Sequence, residues 1–240
     1  MTEPSETKRL FVGVRVAVAT ANALAAAAET LGRRANDAKV DVRWVAPVNY
    51  HVTLKFLGNT RTAVIPAVHD ALDAAAQDTS RITFRTARLG GFPAVDKARV
   101  VWAGIDDQGA ITDLARRIED ACSRLGFLPA KPFHGHVTLG RLRETRPLRD
   151  LMLPLAEQMF GDTRIDAIVL FESQTKPSGS VYVELDRIAF KTASNARLEG
   201  SERQTSAVQL GARNESSDLD TGRDGLDTDD GWPRGHVPNT

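Results

Sequence analysis

The sequence predicts an α+β protein whose body consists of two halves of similar content. Two observations indicate this fold class: short β-branched segments alternate with helical segments, and one histidine-containing tetrapeptide occurs in each half. The chain has 240 residues, which suits one domain of about 190 to 240 residues or two small ones. It contains no run of 18 or more apolar residues, so we expect no membrane span.

The first half contains five predicted strands and two predicted helices. The strands are rich in β-branched and aromatic residues and cover 11–16, 42–45, 51–57, 81–87 and 98–105. An alanine-rich stretch predicts a helix over 20–38, interrupted near Gly32. Apolar residues at helical spacing predict a second helix over 63–76. We expect Gly90 to Pro93 to end the fourth strand.

The second half is predicted to contain a helix, a strand, a helical stretch and two further strands. Its first helix has an apolar face that Gly126 terminates, formed by Ile111, Leu114, Ile118, Cys122 and Leu125. A strand is expected over 134–141, followed by a helical stretch that contains Leu148, Leu151, Met152 and Leu155. The final strands are predicted over 165–173 and 180–185, with the last one continuing toward residue 190.

The zero net charge hides an uneven distribution along the chain. Residues 198–240 carry nine acids against four arginines, a net charge of −5, which leaves +5 on the remainder. A mildly basic body is compatible with an anionic ligand. The acidic end has too few large apolar residues to offset its ordering entropy by burial. We therefore predict a domain over 9–193, between a flexible N-terminus at 1–8 and a disordered acidic tail at 194–240.

The N-terminal sequence and the cysteine content bear on the compartment. The first seven residues are polar, unlike the beginning of a secretory signal. Cys122 is the single cysteine, which excludes an intramolecular disulfide framework. We expect a cytoplasmic protein.

The most informative feature is a tetrapeptide that occurs twice, His-Val-Thr-Leu at residues 51–54 and again at 136–139. Side chains on a strand alternate between its two faces. His51 and Thr53 therefore share one face of their strand, as His136 and Thr138 do on theirs. The valine and leucine of each copy anchor the opposite face. Two halves related by a pseudo-twofold axis could bring both pairs to one cleft.

Two histidines and two threonines suit metal-free phosphodiester cleavage. Imidazole titrates near pH 6.5, so one ring can accept a proton from water while the other donates one to a leaving oxygen. Threonine hydroxyls can donate to phosphate oxygens. A single His-x-Thr is more often a strand whose histidine satisfies a backbone group. Two matched copies among only five histidines favour the catalytic interpretation.

With their flanking residues, the two motifs resemble the two-histidine phosphoesterases, specifically the RNA 2′,3′-cyclic phosphodiesterases first named 2′–5′ RNA ligases. The resemblance covers about residues 9–191. The matching flanks are 9–12, 42–47, 53–58, 131–133 and 169–173, together with Arg141.

The resemblance implies a bilobal, pseudo-twofold fold in which antiparallel sheets flank a central cleft and helices lie outside. It implies opening of a 2′,3′-cyclic phosphate at an RNA 3′ end to a 2′-phosphomonoester. His51 would be the proton donor and His136 the proton acceptor, with Thr53 and Thr138 holding the phosphate. Arg141 would be a further phosphate contact.

Strict alternation limits this assignment. It places Arg141 opposite His136 unless the strand bends or ends at Gly140. By the same alternation, Phe56 is predicted to be a core residue rather than a surface on which a base stacks.

One departure from the family pattern precedes the second motif, where Gly135 replaces the usual proline. We expect this glycine to loosen the positioning of His136. It also creates His134-Gly135-His136, whose spacing could hold a metal, although the sequence offers no third ligand and rim placement of His134 is the favoured interpretation.

We expect no cofactor and no metal. The expected partners are RNA 3′ ends with 2′,3′-cyclic phosphate, tRNA fragments possible among them, with no membrane and no evident protein partner. Two rival interpretations stay open. One is a different RNA-end reaction in the same cleft, such as 2′–5′ phosphodiester cleavage, removal of 3′ uridines or ligation. The other is a non-catalytic module that binds RNA ends.

Overall fold

The structure is a computed structural model that describes residues 6–176 and 179–191. The predicted acidic tail, and residues 1–5 of the predicted flexible N-terminus, lie outside these residues. The strands are β1 (Thr7–Arg15), β2 (Val42–Trp44), β3 (His51–Arg61), β4 (Ile82–Phe92), β5 (Ala98–Asp106), β6 (His136–Arg146), β7 (Met159–Ile165), β8 (Ala167–Lys176) and β9 (Gly179–Ala189). The α-helices are α1 (Val18–Asp37), α2 (Ile65–Ala76), α3 (Ala110–Arg124) and α4 (Arg149–Met152).

The strands form an antiparallel sheet in the order β7-β4-β5-β6-β3-β1-β8-β9, and β2 pairs with β6 as an extra strand. Its two four-stranded halves meet where β3 and β6 adjoin, and they pair there only at Val52 and Val137. The two motif strands therefore lie side by side at the centre of the sheet and separate on either side of this contact. The predicted α+β fold, with antiparallel half-sheets about a central cleft, is confirmed.

The helices cover one face of the sheet and leave the cleft on the other. Val52, Leu54, Val137 and Leu139 are buried with apolar residues of α1, α2 and α3 in one core. A second, small cluster joins Phe11, Val169 and Phe171, with Tyr182 packed against it. The apolar stripe predicted for α3 is confirmed at four positions that are fully buried, Ile111, Leu114, Ile118 and Cys122. It is wrong at Leu125, which follows the last helical residue and is 38% exposed. This helix ends at Arg124, and Gly126 follows with a left-handed φ of 84°.

The N-terminal boundary differs from the prediction. Thr7 and Lys8 pair with Arg61 and Thr60, so β1 begins two residues before the expected domain start. The Lys8 ammonium also lies 3.0 Å from the Glu172 carboxylate. Assignment of 1–8 as flexible is therefore wrong at Thr7 and Lys8, because pairing with a long partner strand orders a polar segment that has no strong strand propensity of its own.

Three other expectations about secondary structure are corrected. α1 is continuous through Gly32, because buried residues on both sides of it keep one face against the core. β4 runs through Gly90 and Gly91, which pair with Trp102 and Val101 of β5. The segment predicted as one strand over 165–173 contains the end of β7 and most of β8. β7 has glycine or polar residues over 161–164, and its pairing with β4 is a tertiary contact that sequence patterning does not reveal.

The helical stretch expected around 148–155 is short. Only Arg149–Met152 is α-helical, and a 3-10 turn over Leu153–Leu155 follows it. Among the helices in the described residues, none is long and apolar enough to cross a membrane.

Candidate active site

The two motif strands present the same alternation of exposed and buried side chains. In β3, His51 and Thr53 are half-buried whereas Val52 and Leu54 are buried, and β6 repeats this order from His136 to Leu139. Both histidines and both threonines line one cleft of about 530 Å³. The structure therefore brings together the four side chains that the repeated tetrapeptide predicts on one surface.

Each motif strand also contains an irregularity directly after its threonine. In the pairing of β3 with β1, Thr53 and Lys55 have successive partners and Leu54 is passed over. In the pairing of β6 with β5, Thr138 and Gly140 have successive partners and Leu139 is passed over. An extra residue of this kind is a β-bulge, which bends the strand and changes the face on which the following residues lie.

Because of these bulges, the sixth residue counted from each motif histidine, Phe56 in β3 and Arg141 in β6, faces the cleft. Arg141 is exposed and lines the cleft with His136 and Thr138, so the strand meets the condition under which Arg141 could contact the phosphate. The strand bends beside Gly140, as the assignment of Arg141 to the cleft requires. Phe56 holds the corresponding place in β3, is 65% exposed and lines the same cleft. Its prediction as a core residue is therefore wrong.

A backbone carbonyl fixes the tautomer of each histidine. Nδ1 of His51 donates to the carbonyl oxygen of Asn49 at 2.6 Å, and Nδ1 of His136 donates to that of His134 at 2.7 Å. A carbonyl can only accept, so Nδ1 must carry the hydrogen and Nε2 is the atom that gains and loses a proton. In His51 this Nε2 lies 2.9 Å from the hydroxyl of Thr53.

Burial shifts both histidines toward the neutral form. Desolvation by burial lowers the pKa of His51 to about 4. The hydrogen bond to the Asn49 carbonyl acts in the opposite direction and raises this pKa, whereas the positive charge of Arg15 lowers it further. Desolvation also lowers the pKa of His136 below its usual value of 6.5. A phosphate anion bound between the rings would favour the charged form and raise both pKa values.

Aromatic side chains surround both rings. Phe11 packs on His51 with ring centroids 4.8 Å apart, and Tyr182 meets the same ring edge-on at 5.1 Å. Phe92 meets His136 edge-on at 4.9 Å. These contacts desolvate the imidazoles and hold their planes. Sequence reasoning did not identify them as site residues, although Phe11 lies in one of the matching flanks.

His134 and Gly135 connect the second motif to the preceding loop. The ring of His134 is exposed and its centroid lies 6.3 Å from that of His136. Within residues 6–176 and 179–191, no group of three or more His, Cys, Asp or Glu side chains is arranged to hold a metal ion.

Gly135 makes a close backbone contact rather than a loose one. Ile105 donates its N–H to the carbonyl of Gly135 at 3.4 Å, and a Cβ atom at Gly135 would lie 2.6 Å from the Ile105 side chain. Gly135 was expected to loosen the positioning of His136, but its close contact with Ile105 shows no such looseness.

Two His-x-Thr strands that face one cleft define a phosphoesterase of the two-histidine class. A family model, described as the 2′-5′ RNA ligase superfamily, matches residues 17–177. The chain belongs to this superfamily, and the resemblance drawn from its motifs is confirmed.

Two proteins with related sequences are named RNA 2′,3′-cyclic phosphodiesterase. The protein from Archaeoglobus fulgidus is 30% identical over 145 residues, which are 60% of this chain and 81% of the relative. The protein from Aeropyrum pernix is 32% identical over 164 residues, which are 66% of this chain and 91% of the relative.

Two crystal structures share the fold. The protein TT0787 of Thermus thermophilus has a TM-score of 0.65 and 24% identity, with 77% of this chain and 99% of that chain covered. E. coli LigT in its apo form has a TM-score of 0.60 and 23% identity, with 78% of this chain and all of that chain covered.

Proposed function

We propose that this protein is an RNA 2′,3′-cyclic phosphodiesterase that opens the cyclic phosphate at an RNA 3′ end to a 2′-phosphomonoester. The observation that carries the proposal is the pair of histidines in one cleft, each with Nδ1 bonded to a backbone carbonyl, which leaves Nε2 as the nitrogen that exchanges a proton. The names of the archaeal relatives support the same reaction. RNA ends, tRNA fragments among them, are the proposed substrates, and the cytoplasm is the proposed setting.

In the proposed reaction, Nε2 of neutral His136 takes a proton from water as the water oxygen attacks phosphorus. The bond from phosphorus to the 3′ oxygen breaks, and Nε2 of protonated His51 donates a proton to that oxygen. The product carries a 2′-phosphate and a free 3′ hydroxyl. One ring gains the proton that the other loses, so exchange with solvent restores the starting state.

The phosphate is held by the remaining cleft residues. Thr53 and Thr138 are proposed to donate their hydroxyls to the non-bridging oxygens, and the Arg141 guanidinium to bind the same oxygens from beyond the bulge. The negative charge of the bound phosphate has a second effect, because it raises the pKa of His51 toward the range in which a proton donor is useful.

The direct test is incubation of the full chain, in the presence of chelator, with a short RNA that ends in a 2′,3′-cyclic phosphate. The expected product co-migrates with a synthetic 2′-phosphate standard and not with a 3′-phosphate standard. Parallel reactions offer a 2′–5′-linked dinucleotide and a second RNA with a 5′ hydroxyl. Turnover only in those reactions would favour the rival chemistries, and tight binding without turnover would favour a binding module.

A further inference from the structure

A second groove opens from the cleft and has a different chemical character. Its cavity measures about 960 Å³ and lies between β3 and the loop over 126–135 that joins α3 to β6. Four side chains line both the groove and the cleft, namely Thr53, Phe56, Phe92 and His136. The groove therefore begins beside His136 and Thr53 and leads away from the cleft.

Large apolar side chains are exposed on both walls of this groove. Phe56 on β3 is 65% exposed, and Leu128 on the facing loop is 85% exposed. Phe127 and Phe133 also line it, while Lys131 adds an exposed positive charge. Single exposed apolar residues are ordinary, but a continuous apolar lining beside a reactive centre is typical of a binding surface.

A buried ion pair holds the loop wall in place. Lys55, the residue before Phe56, is 1% exposed, and its ammonium lies 2.7 Å from both the Glu119 carboxylate and the Leu128 carbonyl oxygen. The same carboxylate accepts the N–H of Ala130 at 3.2 Å. A charge is buried only with such partners, so this contact fastens the loop to β3 and gives the groove a preformed wall.

We infer that this groove binds the nucleotides that precede the cyclic end of an RNA strand. The inference rests on the proposed function, because the occupant must be continuous with the phosphate held between the histidines. The face of Phe56 suits base stacking, which tolerates any sequence, and Lys131 suits a backbone phosphate. Oligonucleotides are thus the preferred substrate class over mononucleoside cyclic phosphates.

The test compares two substrates with the same terminal nucleoside, a nucleoside 2′,3′-cyclic phosphate and an oligonucleotide that ends in it. Leu128→Asp should raise KM for the oligonucleotide about tenfold or more and change the mononucleotide reaction less than twofold.

Phe56→Ala should lower oligonucleotide efficiency about 5- to 100-fold by loss of stacking, with a smaller effect on the mononucleotide. Leu153→Asp is the matched control, since Leu153 is 69% exposed and does not line the groove.

Salt dependence supplies a second readout. Lys131→Gln should lower the slope of log affinity against log salt for the oligonucleotide by about 0.7, the loss of one phosphate contact on a single strand. Lys39→Gln, at an exposed turn after α1, should leave the slope unchanged. Equal effects of the groove variants on both substrates, or none on either, would overturn the inference. Failure of the unaltered protein on both substrates would instead refute the proposed function.

Discussion

The two motif strands, β3 and β6, are built alike where the reaction is proposed to occur and differently beyond it. Both place a histidine and a threonine in the cleft, bury the next leucine and bulge at that leucine. Both hold Nδ1 of the histidine with the carbonyl oxygen two residues earlier. The repeat therefore supplies two equivalent proton-transfer groups.

The strands differ at the two residues that follow the tetrapeptide, which are the fifth and sixth counted from the histidine. β3 has Lys55 and Phe56, whereas β6 has Gly140 and Arg141. The bulges aim both sixth residues into the cleft, so one side offers an apolar ring and the other a guanidinium. Under the proposed function, the shared part of the repeat supplies the acid and the base. The unlike part then orients the substrate, with the phosphate toward Arg141 and the bases toward Phe56.

Replacement of either motif histidine should cause the greatest loss of activity, because the histidines are shared by both strands. His51→Ala and His136→Ala should each lower kcat by a factor of about 100 to 10,000, because each removes one proton-transfer group. The double variant should be only slightly worse, because the pair acts as a unit. Single-turnover rates on the cyclic-phosphate RNA measure this, and His69→Ala, on the exposed face of α2, is the control. A single variant with near-normal rates would refute the assignment.

The threonines should show a smaller and unequal effect. Thr53→Val and Thr138→Val each remove a hydrogen bond to a charged oxygen, worth about 1.5 to 3 kcal/mol, so kcat/KM should fall about ten- to a hundredfold. Only Thr53 lies within hydrogen-bond distance of its histidine among the described residues. Thr53→Val should therefore also move the pH profile, whereas Thr138→Val should not. Unchanged kinetics in both variants would show that the hydroxyls do not hold the phosphate.

Lys55 is a second point of difference between the two strands, because β6 has Gly140 at the corresponding position. Lys55→Met leaves Glu119 without its cation, and since that carboxylate is partly exposed we expect a loss of about 1 to 3 kcal/mol in the free energy of unfolding. Denaturant unfolding measures this loss. Lys55→Met with Glu119→Gln should recover part of it, because no unpaired charge remains. A single variant as stable as the unaltered chain would show that the ion pair does not fasten the loop.

The pH dependence gives the smallest effect, a shift of the optimum. One histidine must be neutral and the other protonated, so kcat/KM should be bell-shaped, and it reports the pKa values of the free protein. Both are lowered by burial, His51 to about 4, so the maximum should lie between about pH 4 and 6.5. The two limbs belong to the pair rather than to named residues.

The rate should fall above this maximum, because the donor loses its proton, and below it, because the acceptor gains one. Measurement of kcat/KM from about pH 3 to 9, with and without chelator, covers both limbs and tests the division of roles. An efficiency that rises steadily to pH 9 and is lost with chelator would indicate a metal-bound hydroxide instead.

Local patterns in the sequence predicted that two histidines and two threonines share one surface and that the valine and leucine of each motif face the core. Alternation along a strand is a local property of the backbone, so His51 and Thr53 had to share a face, and the same holds for His136 and Thr138. Helical periodicity is equally local, and it identified the buried stripe of α3. The repeat of one motif in each half also indicated the bilobal arrangement.

The directions in which Phe56 and Arg141 point depend on contacts between strands that are distant in the sequence. A bulge exists because one strand has more residues than its partner over the same length, and the partner strands β1 and β5 lie far from β3 and β6 in the sequence. The ordering of Thr7 and Lys8, the pairing of β7 and the burial of Lys55 are also contacts between distant segments. Local patterns carry no information on such contacts, so the sequence predicted the two His-Thr pairs, and Arg141 through the family resemblance, whereas the exposure of Phe56 and the groove beside it could not be predicted.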